Sequence, residues 1–276
     1  MIVRLLNYAF YFVIILVFIL AAGPFDKFQI IFAFVLSAIV SYISFIFKWL
    51  SLDGKRAATV IGTVTLGFGG WEFTLYLLIF FMSSNFIGSF LDSPTNKAEL
   101  RLSERRKAEQ VWANGFWFVS LLLVWFLTGL STAYVAAVTA LAVATSDTWA
   151  TLIGSYSSDR KVWLISDFKR VSVGTDGGIS IAGTFSALMG SGLLALTVFF
   201  FEPAYVIFAA VTIFICGFAG CMADSYLGSY FQYKERIIKI GTTEFKPGNN
   251  SVNWAAAGIG SALSAIIFNV FTYALV

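Results

Sequence analysis

The chain has 276 residues, 59% of them hydrophobic and 12% charged, with a net charge of +3. A soluble domain of this size carries roughly twice that share of charge, and the mean hydropathy of +0.84 is that of a membrane protein. There is no histidine, which excludes zinc–histidine centres and Ser-His-Asp triads. The two cysteines, Cys216 and Cys221, share one apolar run and offer neither a disulfide framework nor metal-ligand spacing.

Apolar runs near or above the length needed to cross a bilayer recur at 5–22, 28–47, 54–69, 71–91, 111–130, 132–153, 179–201, 204–227 and 252–276. A β-barrel would show short alternating segments instead. The expected fold is therefore all-α: a polytopic transmembrane bundle of about nine segments, one of them short, in a single integral membrane domain over residues 1–276. The first run follows a lone Arg4 and is read as a retained span, because no small-x-small cleavage site leads into a soluble region.

The third and fourth runs are separated only by Gly67-Phe68-Gly69-Gly70, and charge decides whether they cross once or twice. Basic residues cluster at Arg4, at Lys48/Lys55/Arg56, and over 97–107, 160–170 and 234–246; Lys27 stands apart. One crossing puts these clusters on opposite faces. Two crossings, with a turn at the glycines, put all of them except Lys27 on one face, as the positive-inside rule requires. The expectation is two crossings, an N-terminus in the cytoplasm and a multi-pass protein of the cell membrane. The loop over 92–109 alternates charge at helical spacing and reads as a solvated helix on the membrane surface; the alternative is a role in drawing in anionic substrate or lipid.

Asp147 (in ATSDTWATLIG) and Asp224 (in GFAGCMADSYLG) lie inside apolar runs near their inner ends. At helical spacing their faces are lined mostly by small residues, which let helices approach closely and turn both carboxylates into the bundle. An interior carboxylate needs a cation, and Lys169, Arg170, Lys55 or a metal could serve. The bland alternative is a buried ion pair that fixes helix register. Asn114, Asn249, Asn250 and Asn253 stand at the same depth, more amides than helix capping explains.

Between the aspartates lies KRVSVGTDGG, residues 169–178. Lys169 and Arg170 supply charge for phosphate oxygens. Gly174, Gly177 and Gly178 permit the positive φ of an anion-binding nest, and Thr175 or Asp176 can cap the helix that follows. The pattern is not a Walker A loop. A basic glycine turn, a helix N-terminus and two buried carboxylates are the parts that hold a nucleotide with Mg²⁺.

The blocks ATSDTWATLIG, KRVSVGTDGGISIAGT, GFAGCMADSYLGSYFQ and NNSVN, with LDGKRAATVIG and GFGGW earlier, resemble in order and spacing the integral membrane family that includes plant phytyl-phosphate kinase. The resemblance runs from about Ser51 to the C-terminus. It implies a membrane kinase that converts a prenyl monophosphate to its diphosphate with a nucleoside triphosphate (CTP or ATP). Asp147, Lys169, Arg170, Gly174, Thr175, Gly177, Gly178, Asp224, Asn249, Asn250 and Asn253 match the family's blocks. The chain departs from them at Leu152, where a carboxylate is usual, at Asp176 in place of Asn, and at Ser251 in place of Asp. The expected partners are the bilayer, a prenyl phosphate and a nucleotide, with no nucleic acid. Asp147 and Asp224 would hold the metal, and with Lys169 and Arg170 form the catalytic set. Asn114, Thr175, Asp176, the glycines and the other asparagines would bind the nucleotide. The rival readings are an ion-coupled transporter, for which intramembrane acids and a broken segment also speak, and a non-catalytic lipid-binding protein.

Overall fold

The computed structural model describes residues 2–20, 23–91, 105–156, 161–201, 205–240 and 243–273. Among these, eight helices are long and apolar enough to cross a membrane. They are α1 (Ile2–Leu20), α2 (Pro24–Ile46), α3 (Leu52–Leu91), α4 (Ala108–Thr128), α5 (Ser131–Tyr156), α6 (Ile181–Thr197), α7 (Val206–Leu227) and α8 (Asn249–Tyr273). The bundle is an integral membrane protein of the all-α class.

The count of eight agrees with nine crossings because α3 is bent back on itself. At Gly70 φ is +62° and ψ is −158°, a conformation foreign to a helix and open in practice to glycine alone. Were α3 straight, Gly54 and Phe80 would be roughly 39 Å apart. Instead both meet Arg106: its carbonyl oxygen lies against Gly54, and its guanidinium is 5.6 Å from the Phe80 ring centroid. Trp49, just before α3, packs on Phe81 with ring centroids 5.9 Å apart. The arms 52–69 and 71–91 are thus antiparallel, and the turn expected at the glycines is there. The same contacts put the ends of α3 and the start of α4 on one side. Arg106 pairs with Leu50 in a β-bridge, its N–H donating to Trp49 O at 3.0 Å while Ser51 N–H donates to Arg106 O at 3.1 Å. Residues 105–107 are extended, not part of a surface helix, and α4 begins only at Ala108, whose N–H donates to Asp53 Oδ2 at 3.3 Å. The rest of the charge-alternating stretch, 92–104, lies outside the described residues.

Helix α5 is the axis of the bundle. Every residue from Ala133 to Ser146 is buried, so its sequence is apolar or small all round rather than striped. Neighbouring helices close on it through glycine and serine. A Cβ at Gly260 would fall 2.6 Å from Val143 Cγ2, and one at Gly220 would overlap the same methyl group. Ser146 Oγ donates to Ala187 O of α6 at 2.8 Å, and Ser261 Oγ of α8 donates to Ala136 O at 3.0 Å. Helices α5 and α8 run antiparallel, with Asn253 beside Asp147, Ser261 beside Ala136 and Asn269 beside Thr132.

Two small sheets, which apolar periodicity does not reveal, cover the end of the bundle where α5 and α7 finish. β1 (Val162–Leu164) pairs antiparallel with both β2 (Arg170–Val171) and β3 (Gly178–Ile179); β4 (Ile238–Ile240) pairs with β5 (Thr243–Phe245). The up-and-down order of the helices puts every described basic residue except Lys27 at this end, in agreement with the charge argument.

Candidate functional site

Asn253, one turn into α8, is the point at which four helices meet. Its carboxamide nitrogen lies 3.4 Å from Asp147 Oδ2 on α5 and 3.4 Å from Asn114 Oδ1 on α4. With the carboxamide turned over, the nitrogen donates instead to Asp224 Oδ2 on α7 at 3.2 Å and to the Asn249 carbonyl oxygen at 2.8 Å. Both ends of one amide therefore face oxygen. An amide donates from one end only, so in either orientation an oxygen is left against oxygens. Asp147, Asp224, Asn114 and Asn253 are thus brought together as the sequence implied, and they form a centre with more acceptors than donors.

Asp224 is 9% exposed and Asp147 is half-buried. The ion pairs at this end are Lys169–Asp167 at 3.6 Å, Lys239–Glu244 at 2.8 Å and Lys246–Glu235 at 3.2 Å. Among the described residues no lysine or arginine pairs with Asp147 or Asp224, so the register-fixing ion pair is not formed. Uncompensated carboxylates within reach of each other are costly in a low-dielectric interior. An all-oxygen set of two carboxylates and two amides suits a hard divalent cation such as Mg²⁺. Close helix approach at Gly220 and Gly260 is what lets side chains from α5, α7 and α8 converge here.

The glycine turn sits beside this centre and is built differently from its expected form. It is two successive tight turns, closed by Thr175 N–H to Ser172 O at 3.2 Å and Gly178 N–H to Thr175 O at 2.9 Å. Gly174 (φ +82°) and Gly177 (φ +77°) hold the left-handed positions, as a nest requires. The N–H groups of Gly174, Asp176 and Gly177 have no partner among the described residues. Neither Thr175 nor Asp176 caps the next helix. Strand β3 intervenes, and Ser180 is the cap, its Oγ accepting from Gly183 N–H at 3.1 Å. Thr175 Oγ1 instead donates to Ser172 O at 2.7 Å.

Gly177 packs directly on Ser229, just past the end of α7, and a Cβ there would overlap the Ser229 backbone. This contact, with the 2.7 Å bond from Ser229 Oγ to Ser166 Oγ, pins the turn to the helix that carries Asp224. It brings Asp176 into electrostatic range of Asp224. Lys169 and Arg170 are exposed where β2 begins and leads into the turn, and Lys169 engages Asp167, not Asp147 or Asp224. Asn249 is exposed and Asn250 half-buried at the start of α8, where Asn249 contributes its carbonyl oxygen to the centre.

Sequence reasoning placed Arg106 only within the charge-alternating loop and passed over Gln110. They precede Asn114 at intervals of four, and the series 106, 110, 114 leads from the membrane surface to the polar centre. That spacing was the available signal, and the alternation of charge around Arg106 concealed it.

The family described as integral membrane protein DUF92 matches residues 35–265 of the chain. The chain is 28% identical over 225 residues to the uncharacterized membrane protein MJ0933 of Methanocaldococcus jannaschii, covering 80% of this chain and 87% of that protein. It is 26% identical over 279 residues to protein PGR of Arabidopsis thaliana, covering 87% of this chain and 96% of that protein. No solved structure matches it significantly.

Proposed function

The chain belongs to the DUF92 family of integral membrane proteins, and from its polar centre we propose that it is a membrane-embedded kinase. It transfers the terminal phosphoryl group of a nucleoside triphosphate (CTP or ATP) to a prenyl monophosphate at the basic, cytoplasmic face. The observation that carries this reading is the Asn253 carboxamide held between Asp147 and Asp224, an acceptor-rich centre beside a positive-φ glycine turn.

Asp147 and Asp224 would hold Mg²⁺, with Asn114 and Asn253 orienting the two carboxylates. Bound there, the ion would neutralise phosphate oxygens and align donor with acceptor. The N–H groups of Gly174, Asp176 and Gly177, which have no partner among the described residues, would receive a phosphate chain, and Lys169 and Arg170 would flank it with charge. Asn249 and Asn250 would approach the nucleotide from the start of α8. In the transfer, an acceptor phosphate oxygen forms the new P–O bond and the bond to the leaving nucleoside diphosphate breaks. The attacking oxygen is already anionic at neutral pH, so no general base is needed, in keeping with a chain that lacks histidine. The Gly70 break, which as a discontinuous helix would favour a transporter, is accounted for by a hairpin turn away from the polar centre.

The test is direct: purified protein with Mg²⁺, nucleoside triphosphates labelled in the terminal phosphate, and a panel of prenyl monophosphates. Labelled prenyl diphosphate is expected. Absence of nucleotide binding by the wild-type protein in Mg²⁺ would remove the kinase and favour transport.

A further inference from the structure

A cavity of about 170 Å³ lies between α2, the two arms of α3 and α4. Its wall is aliphatic and aromatic: Leu36, Val40, Ile61, Leu77, Leu78 and Phe81 are representative. Three of the five hydroxyls that line it are turned back on their own helices. Ser44 Oγ donates to Val40 O at 2.8 Å, Thr65 Oγ1 to Ile61 O at 2.7 Å and Thr74 Oγ1 to Gly70 O at 2.7 Å. The cavity opens sideways towards lipid, since Val40, Trp71 and Leu78 on its rim are exposed. Its larger polar side chains, Arg106, Gln110 and Asn114, all come from the start of α4 and the β-bridge residue just before it. Asn114 also touches the polar centre, through Asn253.

Arg106 distinguishes this crevice from a packing fault between lipid-facing helices. Its guanidinium lies 5.6 Å from the centroids of both Phe80 and Phe81. No carboxylate among the described residues pairs with it, although Asp53 accepts from the nearby Ala108 N–H and Glu109 is three residues away in sequence. Burial lowers its pKa to about 10, which leaves it charged at neutral pH. A half-buried cation with no counter-ion among the described residues, at one end of an apolar slot, is complementary to an anionic head on a single apolar chain.

We propose that this crevice binds a single-chain phosphate monoester amphiphile, its tail between the arms of α3 and its phosphate on Arg106, Gln110 and Asn114. The assignment of that amphiphile as the phosphoryl acceptor rests on the kinase reading; the binding site itself does not. The arrangement puts the acceptor phosphate on the Asn114 side of the polar centre and the nucleotide on the glycine-turn side, with Asp147 and Asp224 between them. The laterally open wall lets the chain enter from the bilayer.

The experiment uses the full-length protein in lipid nanodiscs and a geranylgeranyl monophosphate analogue with a diazirine near its tail. Photo-crosslinks are expected on α2 and on both arms of α3. Arg106→Gln is expected to weaken binding of the monophosphate roughly 10- to 100-fold, the effect of losing a charged hydrogen bond, with little change for the parent alcohol. Arg106→Lys should retain most of the binding. Ala58→Phe, which fills the crevice, should weaken both ligands. Crosslinks confined to other helices would overturn the proposal, and so would wild-type monophosphate binding by Arg106→Gln and Ala58→Phe. Displacement of the probe by phosphatidic acid but not by geranylgeranyl monophosphate would overturn the single-chain occupant. Should Arg106→Gln fail to fold, the wild-type crosslink map decides. Crosslinking here without phosphoryl transfer would uphold this site and remove the kinase reading; transfer with crosslinks elsewhere would do the reverse.

Discussion

Asn253 has one donor end and faces oxygen at both, and this mismatch sets what substitutions around it should do. If a divalent cation relieves it, Mg²⁺ should stabilise the wild-type protein by about 2.7 kcal/mol at a hundredfold excess over its dissociation constant. Asp147→Asn and Asp224→Asn should each abolish that gain and phosphoryl transfer while leaving a folded protein, because each removes one of two unpaired like charges. Thermal unfolding in detergent with and without Mg²⁺ checks this. A variant that keeps normal turnover would mark its aspartate as structural. A second prediction separates the two glycines of the turn. Gly174 has nothing within 4 Å of a built Cβ, whereas Gly177 is pressed on Ser229. Gly174→Ala should cost only the strain of a left-handed alanine, about 1 kcal/mol. Gly177→Ala should cost clearly more and detach the turn from α7, as limited proteolysis of the 161–178 region would report. Loss of nucleotide binding in Gly177 variants is therefore no proof of direct contact, and Gly174 is the better probe. The participants were legible as residue types, since an unpaired Asp or Asn in an apolar run is an anomaly in any sequence. The role of Asn253 as the link between two aspartates was not, because it depends on how closely three helices pack.

At the scale of elements, that packing is set by glycines facing one valine. Gly220→Ala should destabilise the bundle by about 1–3 kcal/mol through overpacking against Val143. Combining it with Val143→Ala should recover part of the loss, giving a coupling measurable by denaturant titration in mixed micelles. The small-residue faces of α5 and α7 were readable from helical spacing. The three-stranded sheet was not: its strands are two or three residues long, too short for any period to register. The same shortness explains why the cap of α6 was misplaced. Thr175 and Asp176 are the candidates read from sequence, and only the presence of β3 shows that Ser180 is the residue used.

Across the whole molecule, charge distribution revealed more than hydropathy did. Hydropathy alone cannot distinguish a 40-residue tilted helix from a hairpin, whereas the placement of lysine and arginine can, because only a hairpin returns them all to one face. With Cys216 and Cys221 replaced, cysteines introduced at Ala58 and Leu78 should crosslink through a short bifunctional reagent. In a straight helix the two positions would be roughly 30 Å apart, and failure to crosslink would argue for that form.

The burial of α5 bears on how the protein is made. Of the eight spans α5 is the least apolar and the most enclosed, so it is the one a translocon would release into lipid least readily. Its small residues and its aspartate are tolerable only once neighbours surround them. Asn253 lies on α8, the latest of the four contributing helices to be synthesised. Until α8 docks, Asp147 and Asp224 lack the amide that lies between them. Nascent chains halted before α8 would therefore carry two bare intramembrane acids, a mark by which membrane quality control could distinguish unfinished copies from finished ones.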